Sequence, residues 1–186
     1  VTIGSRSSIG WEHASVGILS DLDFHTVRIS QGQDYRLGKM GYMFLNIGVE
    51  GRVETRDLTN LSTAIQGRLA IRTLPVGFFV GRMIIDAYLK NENRSQLLLG
   101  SDTGLRGYAV NRFAGEKRML FNLEQRARIV HSPLLDVGSV LFVDMGHVFK
   151  ESELMNPQKL NTSVGMGFRV SSRQFGWPMA RLDLGY

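Results

Sequence analysis

The chain has 186 residues, of which 43% are hydrophobic and 21% charged, a composition that excludes an intrinsically disordered protein. It contains no cysteine, which excludes disulfide bridges and thiolate metal sites. The formal net charge is +5, but the arginines are spread along the chain and form no basic block, so the charge predicts no nucleic-acid partner.

Period-two alternation of apolar and polar residues dominates the first half of the chain. It predicts five strands, at 2–12, 23–31, 38–50, 60–73 and 77–90. The alternation is clear in the fourth, where one face carries Leu61, Thr63, Ile65, Gly67, Leu69 and Ile71. The segments SQGQD, RDLTN and TLPVG are predicted turns.

The second half is more regular and predicts four further strands, at 119–130, 139–149, 161–171 and 179–186. In the first of these, Met119, Phe121 and Leu123 begin a mainly apolar face, whereas Asn122 and Glu124 lie on a polar one. About nine strands without helical periodicity predict an all-β, antiparallel fold. No shift in composition marks a boundary, so we expect one domain over 1–186.

Two architectures produce this alternation. A soluble sandwich buries the apolar faces of its strands, whereas a transmembrane β-barrel turns them toward lipid and its polar faces toward a wet lumen. The polar faces here are rich in Gly, Ser, Asn and Arg, the strands are long, and aromatic residues fall near predicted strand ends (Trp11, Phe24, Phe149, Trp177 and Tyr186). These features favour the barrel.

Signatures of enzymes and metal sites are lacking. None of the four histidines has a neighbour at HxxH or HExxH spacing, and no GxSxG segment occurs. The segment GMGFRV at 165–170 lacks the third glycine of a dinucleotide-binding loop and lies in a predicted strand. We therefore expect no enzyme activity, no metal and no cofactor.

A long predicted loop, 97–118, contains a lone arginine, Arg106, between apolar residues that include Leu105 and Tyr108. Long ordered loops in compact proteins are usually functional. If Arg106 is buried it needs an acidic partner, because an unpaired buried charge is costly. The candidate partners are Glu124, Asp144, Asp183 and Asp102, and the alternative is an exposed arginine.

The segments LLLGSDTGLRGY, FNLEQRARI, LFVDMGHVF, GMGFRV and PMARLDLGY resemble, in this order, the C-terminal barrel of the bacterial surface antigen superfamily, which includes BamA- and TamA-like proteins. Its (Val/Ile/Leu)-Arg-Gly-(Phe/Tyr) motif is matched by Leu105, Arg106, Gly107 and Tyr108. Its Phe-x-Asp-x-Gly motif is matched by Phe142, Asp144 and Gly146, and Glu124 holds the acidic position on the intervening strand. The resemblance is best over 95–186.

The resemblance implies an outer-membrane β-barrel that assembles or inserts other outer-membrane proteins or translocates protein. It implies that the loop folds into the lumen, where Arg106 contacts Asp144 and Glu124 on the inner wall, with Leu105 and Tyr108 packed beside them. The implied partners are outer-membrane lipid, a client polypeptide and accessory assembly proteins.

Barrels of this superfamily have sixteen strands, so about nine strands over 1–186 are expected to form a partial C-terminal barrel, as a fragment of a longer protein. Three alternatives remain open at this point. They are a passive porin-like channel, the barrel anchor of a fused patatin-like enzyme, and a soluble β-sandwich that binds a partner.

Overall fold

The structure, a computed structural model, describes residues 2–15, 23–54, 57–74, 77–172 and 178–186. Their regular elements are almost all strands, with one short 3-10 helix at Pro157–Lys159. The strands are β1 (Thr2–Ala14), β2 (Phe24–Leu37), β3 (Gly41–Glu54), β4 (Asp57–Leu74), β5 (Gly77–Leu89), β6 (Leu97–Leu99), β7 (Phe113–Gly115), β8 (Lys117–His131), β9 (Leu135–Phe149), β10 (Asn161–Ser172) and β11 (Pro178–Gly185). Within these ranges, no helix has the length and hydrophobicity needed to cross a bilayer.

Nine of the strands form one antiparallel sheet in the order β1-β2-β3-β4-β5-β8-β9-β10-β11, and β6 pairs with β7 in a small second sheet. The prediction of an all-β, antiparallel fold with about nine strands is therefore confirmed for the main sheet. Among the described residues, β1 and β11 do not pair with each other, so the sheet remains open. The transmembrane barrel stays a prediction.

Two predicted turns are wrong. The segment SQGQD lies inside β2, where Gln31 and Gln33 each donate a hydrogen bond to the Ser5 hydroxyl of β1, at 2.9 Å. The segment RDLTN was expected to separate two strands, but β4 already begins at Asp57, which pairs with Glu54 of β3. Cross-strand hydrogen bonding thus accommodates residues that on their own favour turns.

Register and alternation divide the main sheet into two faces. The inner face, which carries Asn122, Glu124 and Asp144, is largely polar. Along β3 and β4 it continues through the facing pairs Asn46–Gln66 and Phe44–Arg68. The outer face is apolar and exposed, with residues that include Ile9, Ile29, Ile47, Val49, Leu123, Leu141, Val164, Met166, Phe168, Leu182 and Leu184.

The main sheet curves toward its inner face. One cavity of about 860 Å³ is lined both by Arg6 of β1 and by Arg181 of β11, although seven strands lie between these two in the sheet.

The segment between β5 and β8 packs against the inner face and forms the core with it. The prediction of a plain loop over 97–118 is wrong in one respect, because Leu97–Leu99 pairs with Phe113–Gly115. Leu99 and Leu105 of this segment are fully buried against three inward-facing apolar residues of β5, β8 and β9, which are Ile84, Leu120 and Val148. We call residues 97–115 the inner loop.

The aromatic residues near the predicted strand ends differ in their exposure. Trp11 and Tyr186 are exposed, but Phe149 is fully buried, and Phe24 lies beneath the guanidinium of Arg52, 3.5 Å from its ring centroid. Trp177 lies outside the described residues. Phe149 is therefore not exposed at a strand end, whereas Phe24 is half-buried beside Arg52.

Replacing Leu105 by alanine tests the contribution of the inner-loop core. Leu105 is fully buried, so Leu105→Ala should lower the free energy of unfolding by about 2–5 kcal/mol, as removal of a buried leucine side chain does. Urea unfolding of the purified chain would measure it. Val110→Ala in the same loop is the control, because Val110 is exposed, and equal effects of the two changes would contradict this packing.

Candidate functional site

A buried ion pair joins the inner loop to the wall of the sheet. Arg106 Nε donates to Asp144 Oδ2 and Nη2 donates to Oδ1, both at 2.7 Å, in a bidentate arrangement. The backbone N–H of Arg106 adds a contact of 3.2 Å to the same carboxylate. Asp144 is 0% exposed and Arg106 7% exposed. The structure thus brings together the arginine and the acid that the sequence singled out.

The third guanidinium nitrogen reaches the neighbouring strand. Arg106 Nη1 donates to Glu124 Oε1 at 2.7 Å, and the other oxygen of Glu124 accepts from Arg126 at 2.7 Å. Glu124 lies opposite Phe142 where β8 pairs with β9. On the inner face, this pair is the neighbour of the pair Asn122–Asp144. Charge-assisted hydrogen bonds to both carboxylates therefore compensate the buried charge of Arg106.

Asp183 lies at the edge of this cluster, whereas Asp102 lies outside it. Asp183 Oδ2 is 3.7 Å from Arg106 Nη1, and its carboxylate is held more closely by Arg169 at 2.5 Å and Arg181 at 2.6 Å. Asp102 instead accepts a hydrogen bond from the backbone N–H of Asn111 at 3.3 Å. Of the four candidate acids, two hold Arg106 directly.

Phe142 completes the environment of the guanidinium. Arg106 Cζ lies 3.6 Å from the centroid of its ring, which is the geometry of a cation–π contact. Burial lowers the pKa of Arg106, but hydrogen bonds and charges from Asp144 and Glu124 outweigh it, so the pKa lies above its ordinary value. The guanidinium of Arg106 is therefore charged at neutral pH.

The backbone on both sides of Arg106 is adapted to close contact. Gly107 has a φ of +86°, and a Cβ there would approach the backbone of Gly185 and Tyr186 to 3.2 Å. On the preceding side, Asn122 Nδ2 donates both to Gly104 O, at 2.6 Å, and to Asp144, at 2.7 Å. The loop tip therefore touches β8, β9 and β11 together.

The remaining motif residues fasten the loop around this cluster. Leu105 enters the buried apolar core, and Tyr108 packs on Phe113 with ring centroids 5.5 Å apart. The Tyr108 hydroxyl donates to Thr162 O at 3.3 Å. Gly146 leaves room for the loop, since a Cβ there would lie 3.0 Å from Leu99 Cδ2.

A second anchor of the inner loop is not evident from the sequence. Arg118 donates to Asp86 through Nε, at 3.0 Å, and through Nη2, and its Nη1 donates to Leu98 O at 2.9 Å. It therefore ties the stem of the inner loop to β5 and β8. The alternation places both residues on the inner face, but their contact depends on the strand register, which the sequence does not reveal.

The cluster is built to hold the loop in position. Its guanidinium donors and the Asn122 amide hydrogens are taken up by the Asp144 and Glu124 carboxylates and by Gly104 O, whereas Asn122 Oδ1 has no hydrogen-bond partner among the described residues. Among the described residues, no group of three or more His, Asp and Glu side chains could hold a metal ion. We call Arg106, Asn122, Glu124, Phe142 and Asp144 the loop clamp.

Comparison with known proteins finds no matching family model, no matching curated protein and no matching solved structure.

A double-mutant cycle tests the loop clamp. Arg106→Gln should cost about 3–5 kcal/mol of unfolding free energy, because it leaves the buried Asp144 carboxylate without its counter-charge. The double variant Arg106→Gln/Asp144→Asn should lose less than the sum of the single variants, with a coupling of about 1–3 kcal/mol. Urea unfolding gives these energies.

Hydrogen exchange of the amides of 103–108 should accelerate in Arg106→Gln, because the loop tip loses its attachment. Arg112→Gln, in the same loop but exposed, is the matched control. Strict additivity in the cycle, with unchanged exchange at 103–108, would contradict the clamp.

Proposed function

We propose that this chain forms part of a transmembrane β-barrel whose outer face contacts lipid and whose inner face lines a lumen. The exposed apolar outer face supports this. Its residues include Ile9 at 80%, Leu141 at 60% and Leu184 at 63% exposure. Contiguous apolar surfaces of this extent are unusual on soluble monomers and mark contact with a membrane or a protein. A soluble sandwich would instead cover this face with a second sheet.

The lengths of the connections between strands support the same proposal. Consecutive connections alternate between the two ends of an antiparallel sheet. At one end the strands are separated by 38–40, 75–76, 132–134 and 173–177, and at the other by 15–23, 55–56, 90–116 and 150–160. Apart from 55–56, the second set is longer. Outer-membrane barrels have short periplasmic and long extracellular connections, which predicts that the inner loop starts outside.

We infer that the barrel serves the assembly or insertion of outer-membrane proteins or the translocation of protein, as its similarity to the surface antigen superfamily implies. The observation that carries this inference is the buried pair Arg106–Asp144, which fastens a long loop onto the polar inner face. The partners would be outer-membrane lipid, a client polypeptide and accessory assembly proteins. The location would be the bacterial outer membrane.

A passive channel is the second candidate, and the cavity of about 860 Å³ beside the inner loop favours it. A passive pore has no need of a loop fastened by a buried ion pair. Release of the loop would change the conductance of such a channel without affecting clients, whereas a protein-handling barrel would lose its effect on clients. Variants of the loop clamp therefore distinguish the two functions experimentally.

Variants of Arg106 test the proposed function in cells that depend on this protein. Arg106→Ala should reduce client assembly or secretion at least about tenfold, because breaking a buried ion pair destabilises the docked loop by several kcal/mol. Arg106→Lys should recover only part of the activity, since lysine cannot reproduce the bidentate contact. The readout is the amount of folded or secreted client.

Arg112→Ala is the control for a charge lost from the same loop, and immunoblots of membrane fractions would show whether the variants accumulate equally. Full activity of both Arg106→Ala and Asp144→Ala, at normal abundance, would overturn the proposed function.

A further inference from the structure

The cavity beside the inner loop has an excess of positive charge. Its lining includes six arginines, at positions 6, 68, 82, 106, 126 and 181, and four acids, at positions 34, 102, 124 and 183. Apolar and aromatic groups complete the wall, among them Tyr42, Phe44 and Val80. We call this space the basic cavity.

Each acid of the basic cavity already has a partner. Asp34 is 3.0 Å from Arg6, and Glu124 holds Arg106 and Arg126. Asp183 is held by arginines of β10 and β11, and Asp102 accepts a backbone hydrogen bond. Of the six cavity arginines, Arg68 and Arg82 are the two that form no ion pair with a described residue.

Arg68 and Arg82 face each other directly across β4 and β5 on the inner face. Neither forms an ion pair or a side-chain hydrogen bond with another described residue, and Asp86, two residues from Arg82, is engaged by Arg118. Like charges directly opposite each other in a sheet are destabilising. Two adjacent guanidinium groups of this kind are suited to share an oxyanion, since each presents a planar fork of donors.

We propose that Arg68 and Arg82 bind an acidic side chain of a polypeptide that occupies the basic cavity. This inference rests on the proposed function, because it names the chemistry of the client. The other arginines of the cavity show the same preference, since each of them binds a carboxylate of the chain itself. Phe44, opposite Arg68, and Val80, two residues from Arg82, supply apolar surface for the neighbouring side chains of such a segment.

The position of the inner loop also suits a polypeptide ligand. Arg82 Nη1 lies 3.5 Å from the place that a Cβ on Gly104 would occupy, so the pair lies next to the loop tip. Ser101 and Thr103 line the same space, and the exposed Ser101 can offer its hydroxyl to the ligand. The cavity volume exceeds that of one small ion many times over, so the site has room for several side chains of a chain.

Titration of the purified chain in detergent micelles with a fluorescent glutamate-rich peptide tests the proposal. We expect binding that weakens with added salt, because the contact is ionic and partly exposed to water. A lysine-rich peptide of equal length should not bind. Arg68→Gln/Arg82→Gln should weaken binding at least about tenfold, since charge-assisted hydrogen bonds are lost.

The matched control is Arg36→Gln/Arg128→Gln, which removes the same number of charges outside the basic cavity. Inorganic phosphate serves as a second probe, because it shares the oxyanion chemistry of a carboxylate. Binding of phosphate without binding of the acidic peptide would overturn the assignment to a polypeptide. Equal loss of affinity in both double variants, or no peptide binding at all, would overturn the site.

These outcomes are separate from a failure of the proposed function. The peptide titration measures binding to the purified chain, without cells or clients. The proposed function is tested in cells, and it fails if Arg106→Ala keeps full activity on clients. If Arg106→Ala abolishes client activity but the chain does not bind the acidic peptide, only the inference about Arg68 and Arg82 is overturned.

Discussion

The buried contact between Arg106 and Asp144 is the constraint on which the rest of the structure depends. Removing a guanidinium and a carboxylate from water is costly, and the cost is offset only when the geometry is complete. Here two parallel hydrogen bonds, the Glu124 carboxylate and the Phe142 ring together surround the guanidinium. That arrangement requires the inner loop to lie against β8 and β9, and it requires both strands to turn these acids toward the same face.

The two faces of the sheet satisfy opposite demands. The inner face carries paired charges and has only a small apolar core, where Ile84, Leu120 and Val148 meet the inner loop. The outer face exposes its apolar residues instead of burying them. This distribution inverts that of a soluble sheet packed on one side, and a lipid environment would make both faces favourable at once. The excess of arginines in the basic cavity would then favour acidic groups on this inner face.

Period-two alternation predicted nine strands that correspond to those of the main sheet, and the two faces of the more regular ones, because side chains on a strand alternate by geometry alone. It placed Glu124 and Asp144 on the polar faces of their strands. If Arg106 was buried among apolar residues, it needed an acidic partner. What the sequence did not reveal depends on contacts between distant residues. The β2 strand continues through SQGQD because glutamines bond to Ser5, β6 and β7 pair only across the inner loop, and Arg118 reaches Asp86 only in the observed register.

The orientation of the two faces relative to lipid is measured most directly by a single-cysteine scan of β3. The chain has no native cysteine, so each variant at positions 45–50 carries one spin label after reconstitution into phospholipid vesicles. Labels at Leu45, Ile47 and Val49 should be accessible to oxygen dissolved in the bilayer, and labels at the three intervening positions to a water-soluble nickel complex. Equal access of the nickel complex to all six labels, or the opposite alternation, would contradict the account.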